Sequence, residues 1–449
     1  MKIFSEAYYL SVALLVALFS QPVLGQTAAN PPPGYFDIPA GFDFPADKRL
    51  LEQYRTQPNV AAQRIHAWNV FAGMTRPTPD AKFSIFETWF SEDETFASGA
   101  ALRGRGPSMG MPRFSVPRQF GTLRGARDAA ASAEPGSAVL SFVLYNFAGY
   151  NHVRTNRLFQ ASVLDNLAKN GAFDVKIPQN RAVPAFPSNA VVLKTVWWPV
   201  AKDKVSAMPI WDPETNPPQA AGNPFPTWSR FIGVDATRPV PAGETADITY
   251  DGQTKRNSHI VGINGFHARV LADRDVVDAV NNQTLLAQVA QLSFGRPLAV
   301  GDFAVLVALH ITTKEIDDWV WATLWWHDRP NDGPFAQNRV GSVNGVWRNY
   351  LMDVSYDLNL PAEKDGGPHV TFDPWLEARF MDGGHGGGGA VSNCMNCHNR
   401  ASWPERTGCP NNRCFLPIFR GNPDFVEDPA YAPGRLRTDF LWSLIGNAN

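Results

Sequence analysis

Cysteine is scarce in this chain, with only 4 in 449 residues, and all of them lie between positions 394 and 414. The first 393 residues therefore cannot be held by disulfides and must be stabilised by burying apolar surface. An excess of charge of one sign is missing too. With 40 Lys+Arg against 42 Asp+Glu the net charge is −2, so there is no electrostatic case for nucleic acid or an anionic membrane as partner. Beyond the N-terminus no stretch has the length and apolarity of a membrane-spanning helix. H-E-x-x-H, G-x-S-x-G and a phosphate-binding loop are absent, and no internal repeat is visible. The run Gly383–Gly389 does match G-x-G-x-x-G, but no strand leads into it and no helix opens from it.

The start of the chain has the shape of a secretory signal peptide over residues 1–25. Lys2 is followed by an apolar run from Tyr8 to Phe19 and then by Val23-Leu24-Gly25, with a small residue at the expected cut. The mature protein is expected to be periplasmic or secreted, with no stable membrane insertion after cleavage. Proline (37), glycine (36) and tryptophan (14) are frequent, which fits a loop-rich, mainly β protein. Residues 26–135 read as a lead-in followed by a helical and loop region. Within it Leu50, Leu51, Tyr54, Val60, Ile65, Trp68 and Phe71 give a helical pattern over 46–74, with His66 read as a partly buried or surface side chain. Residues 101–127 form an arginine-rich loop, best read as solvated.

Residues 136–360 are expected to form a β-rich, sandwich-like domain. Strands are predicted at Ala138–Phe147 and Val191–Val200, a helix over 150–170 capped at Asn170-Gly171, and a surface loop over 212–226. Phe303–Thr313 and Trp319–Asp328 are predicted to pair as a hairpin. On the second of these, Trp319, Trp321, Thr323, Trp325 and His327 share a face by two-residue alternation. That face suits either an aromatic inter-sheet core or a pocket wall. The fold class is thus mainly β (α+β), a β-sandwich-like domain with a few helices. A short C-terminal segment, residues 361–449, follows it.

That last segment carries the chemistry. Cys394-Met395-Asn396-Cys397-His398 is a C-x-x-C-H, the attachment signature of a c-type haem: two thiols add across the vinyl groups and the histidine ligates the iron. Cys409 and Cys414 are then left for a short disulfide. The rival reading joins all four cysteines in one zinc site, C-x2-C-x11-C-x4-C.

With this motif the chain resembles the c-type cytochromes. Val191–Trp198 and His310–Asp328 extend the likeness, over much of residues 140–400, to a large family of exported single-haem cytochrome c proteins with a β-rich N-terminal domain. The resemblance implies one covalent haem c held by Cys394, Cys397 and His398, and electron transfer with a redox partner protein or a small-molecule donor or acceptor. Small electron carriers place a methionine well downstream of the motif as second axial ligand. Here residues 399–449 contain neither methionine nor histidine. Upstream candidates for the distal position are His310, His327, His369, His385, Met208, Met352 and Met381, with His327 singled out at the end of the tryptophan face. An alternative function is a haem enzyme, peroxidase- or oxygenase-like, with an open distal site against a tryptophan-rich pocket. A second alternative is a polymer- or aromatic-binding module with an accessory haem.

Overall fold

The two longest apolar runs become neighbouring strands at the centre of the molecule, because strands buried on both faces need uninterrupted apolar sequence. The computed structural model describes residues 30–98, 140–212, 228–276, 285–362, 364, 369–377, 392–404 and 433–448. In chain order the first elements are helices α1 (Lys48–Thr56) and α2 (Val60–Met74), strand β1 (Phe90–Ser91), helix α3 (Glu92–Phe96) and strand β2 (Leu140–Tyr145). Helices α4 (Phe147–Thr155) and α5 (Ala161–Asn170) follow, then β3 (Arg181–Ala182), β4 (Val191–Val200), β5 (Ser206–Ile210), β6 (Arg230–Asp235), β7 (Thr245–Tyr250), β8 (Gln253–Gly262) and β9 (Ala268–Val270). The remainder comprises α6 (Leu285–Phe294), β10 (Phe303–Thr313), β11 (Val320–Trp326), β12 (Tyr350–Ser355), α7 (Pro374–Glu377), α8 (Cys394–His398), β13 (Ser402–Trp403), β14 (Leu436–Arg437) and α9 (Trp442–Asn447).

The large sheet has the order β1-β2-β4-β10-β11-β12, with β9 pairing the start of β10, and every pair in it is antiparallel. A smaller sheet, β5-β6-β8-β7, packs beside it, and its β6–β8 pair is parallel. Trp198 joins the two: its indole N–H donates to Ala207 O at 3.0 Å, and its ring lies 5.8 Å from that of Tyr250. One apolar core serves both sheets together with α2. The molecule is thus mixed α+β, with mostly antiparallel sheets and helices laid around them, as the sequence implies.

The predicted helix over 46–74 is two helices. Asn59 caps the second, its side chain accepting from Ala62 N at 3.1 Å. Likewise the helix predicted over 150–170 is divided into α4 and α5, the second ending at Gly171. A Cβ on Gly171 would come within 2.5 Å of Leu167 O, so only glycine fits this close approach. His66 is buried, with Nδ1 2.6 Å from the Tyr356 hydroxyl and Nε2 3.1 Å from Asp43 O.

A second apolar cluster lies at the other end of the large sheet. It gathers Tyr145, Val153, Leu164, Phe186, Trp319 and Trp321 with Met395 of α8 and Leu441 and Leu444 of the C-terminal residues. A three-stranded sheet, β13-β14-β3, closes it, with β14 running parallel to β3. Contacts therefore cross the boundaries expected near 136 and 361: β1 is an edge of the large sheet, and β14 pairs a strand of the β-rich region. Among the described residues no helix is long and apolar enough to cross a membrane. The expected signal peptide, the arginine-rich loop, most of the 212–226 loop and the glycine run 383–389 lie outside the described residues.

Candidate functional site

The C-x-x-C-H forms a single helical turn because its ends are capped. Asn393 accepts from Asn396 N at 3.1 Å, and its own amide donates to Leu358 O at 3.1 Å. Asn396 Nδ2 donates to the same carbonyl at 2.6 Å, so the turn is fastened to the chain just after β12. Cys394 and Cys397, three apart on a helix, lie on neighbouring positions of one side, while Met395 and Asn396 point into the protein. Both thiols are free. Burial pushes the Cys397 thiol up to about 11 and that of Cys394 well above its ordinary range, so both are held protonated.

His398 is set by the end of the chain. Its Nδ1 lies 2.8 Å from Phe440 O, and a carbonyl can only accept, so Nδ1 carries the hydrogen. The neutral ring then presents the Nε2 lone pair. Burial lowers its pKa to about 3; the Phe440 hydrogen bond opposes that shift, and the charges of His310 and Lys194 add to it. The ring is neutral at any physiological pH. Trp321 packs against it with centroids 4.3 Å apart.

Facing this turn is a row of polar side chains on the large sheet. The register places Lys194 opposite His310, His310 opposite Thr323, and Thr323 opposite Asp353, so four strands put these side chains on one face. Asp373, just before α7, and Glu377, its last residue, lay two carboxylates over them. Thr323 donates to Asp373 Oδ2 at 3.0 Å, and His310 Nε2 lies 3.4 Å from Glu377 Oε2 and 3.7 Å from Asp373 Oδ2. His369 Nε2 approaches Asp353 Oδ1 at 3.3 Å.

Burial raises the Asp373 carboxyl; the His310 charge opposes this, and that of Glu377 adds to it. For His310, burial acts downward, but Glu377 and Asp373 outweigh it and the net shift is upward. Burial takes Lys194 down to about 8. The charges of Glu377 and Asp353 are felt at Cys394, and those of Glu377 and Lys194 at Cys397.

These residues fit a covalent haem. Two protonated thiols lie one turn apart, and an imidazole offers Nε2 while its other nitrogen is fixed by a carbonyl, the arrangement that orients a metal-ligating histidine. A porphyrin brings four nitrogens of its own, so one imidazole suffices. Among the described residues no group of three or more His, Cys, Asp or Glu could hold a bare metal ion. Cys409 and Cys414, and with them both the disulfide and the four-cysteine zinc reading, lie outside the described residues.

The structure sorts the distal candidates. His327 accepts from Arg329 N at 2.9 Å and neighbours Asp328 and Arg230, beside the packed rings of Trp325, Trp211 and Phe335. None of these belongs to α8. The tryptophan face is split: Trp319 and Trp321 join Met395, whereas Trp325 lies in the main core. Trp319 precedes the strand, with φ of 63°. Met208 is in the main core, and Met352, adjacent to Asp353, points to the opposite face of the sheet. His385 and Met381 lie outside the described residues. His310 and His369 stand with the polar row. Sequence reasoning passed over Lys194, Asp353, Asp373 and Glu377. The available signal was Lys194, the one charged residue in the apolar run 191–200.

Compared with family models, curated proteins and solved structures, the chain matches none.

Proposed function

We propose that this chain is an exported, periplasmic or secreted, single-haem c-type cytochrome that transfers electrons. The observation that carries the reading is His398. Its Nδ1–H is given to Phe440 O and its Nε2 has no hydrogen-bond partner among the described residues, while the two free thiols sit on the same turn. When bound, the haem supplies a one-electron couple between ferrous and ferric iron. The chain's own residues orient and tune it. Phe440 O fixes the tautomer and rotation of His398, and Trp321 packs against that imidazole. The carboxylates of Asp353 and Glu377 favour the more positive oxidised state, and Lys194 and His310 the reduced one.

The test is co-expression with a haem-attachment system, followed by intact mass and an alkaline pyridine spectrum. One covalent haem is expected in the wild type, and none when both Cys394 and Cys397 are changed to alanine. An unchanged polypeptide mass in the wild type refutes the reading.

A second reading, a haem enzyme with an open distal site, is favoured by one observation: the ionisable row of Lys194, His310, Asp353, Asp373 and Glu377 facing the motif, of which His310, Asp353 and Asp373 are buried. Electron transfer alone does not call for such a row.

A further inference from the structure

Buried ionisable groups are costly unless they are paired and hydrogen-bonded, and those left short of partners in a native structure call for an explanation. His310 is buried at the middle of β10, and its Nε2 makes no hydrogen bond of acceptable geometry. Its nearest polar neighbours are two acceptor oxygens, Glu377 Oε2 at 3.4 Å and Asp373 Oδ2 at 3.7 Å. A nitrogen facing two carboxylates carries a hydrogen, and that hydrogen is aimed squarely at neither. Thr323, on the neighbouring strand, donates to Asp373 Oδ2 at 3.0 Å, which fixes the start of α7 and leaves the His310 donor in place. Lys194, next in the row, brings a second cationic donor to the same face. The field of both is felt at His398.

Resting on the reading of Cys394, Cys397 and His398 as a covalent haem site, we propose that the iron position not taken by His398 receives a small hydrogen-bond-accepting ligand, of the size of fluoride, cyanide or a peroxide, and that His310 Nε2 donates the hydrogen bond that holds it. Hydrogen-bond donors and steric access beside a haem decide whether it binds small molecules or only passes electrons. A donor anchored at mid-strand, held beside two carboxylates with neither in line to take its hydrogen, is preorganised for the first role. Met352 and Met208, which would suit the second role as axial ligands, pack in the main core and not in the cluster that holds Met395 of α8, and His327 accepts from Arg329 N. The polar row thus belongs to ligand binding, and His310 is its specificity-determining residue.

The test uses the full chain loaded with haem, in the ferric state, titrated with sodium fluoride and followed by absorption. Fluoride only accepts hydrogen bonds, so its affinity reports the donor. The wild type is expected to be high-spin and to bind fluoride. His310→Leu should weaken that binding at least tenfold, His310→Gln, which keeps an N–H donor, should recover most of it, and His327→Leu should leave it unchanged. If His310→Leu does not accumulate, Thr323→Val serves instead: loss of the bond that fixes Asp373 should weaken fluoride several-fold. A low-spin wild type indifferent to fluoride overturns the proposal. So does a haem-loaded His310→Leu, or Thr323→Val where that variant stands in, that binds fluoride as the wild type does. Absence of covalent haem from the wild type instead brings down the underlying reading of Cys394 and Cys397, so the two failures are told apart by the pyridine spectrum.

Discussion

Single side chains in this molecule carry their meaning through one partner each. Thr323 is fully buried, and its hydroxyl answers the Asp373 carboxyl. Thr323→Val keeps the shape and removes the donor, so a buried carboxylate oxygen loses its partner. The expected loss of stability is about 1–3 kcal/mol, read from the urea midpoint. Gly171→Ala should also destabilise, by about 1–3 kcal/mol, since the new methyl group meets the Leu167 carbonyl rather than a flexible side chain; thermal unfolding measures it. The motif residues Cys394, Cys397 and His398 stand out in the sequence because their spacing is itself the signal. His310 could be named only as one candidate among several. Asp373 and Glu377 could not be, because what makes them matter is the register that sets His310 beneath them, and register is a property of strand pairing.

At the scale of elements, the strands were the most legible part. Val191–Val200 and Phe303–Thr313 stand where the apolar runs put them, and the hairpin to β11 follows. The breaks between α1 and α2 and between α4 and α5 were harder to see, since the apolar periodicity runs on across the caps. Short connections are joined by charge. Glu87, in the turn Ile85–Thr88, accepts from Arg269 of β9 and lies 3.0 Å from His267 Nε2. Burial alone would raise the Glu87 carboxyl, but His267 and Arg269 outweigh it and hold it below its ordinary value. A carboxyl depressed in the folded state stabilises fully above its unfolded pKa, about 4.3, and loses that contribution as pH falls through that value toward the folded one. The melting temperature should therefore fall as pH drops below about 4.3. Glu87→Gln should flatten that slope and cost about 2 kcal/mol at neutral pH, both measurable by calorimetry across a pH series.

For the whole molecule, the sequence suggested three successive regions, and the structure interleaves them. Residues of the lead-in supply an edge strand, and Arg64 of α2 donates to Phe335 O at 2.8 Å and Gln337 O at 3.0 Å across the main core. Leu436 and Arg437 pair with Arg181 and Ala182. Such long-range pairings are invisible to local pattern, which is why the expected boundaries looked cleaner than they are. They imply shared stability. Urea unfolding followed by tryptophan fluorescence and by far-ultraviolet circular dichroism should give coincident transitions; a separate early loss of the C-terminal part would contradict this.

The carbonyl that fixes His398 comes from Phe440, 42 positions further along the chain. The tautomer of the imidazole is therefore set by the closing of a long loop and not by its own helical turn. Leu436 and Arg437, just before Phe440, are clamped between β13 and β3. Whatever pulls that strand out of its sheet also sets the His398 ring free to turn.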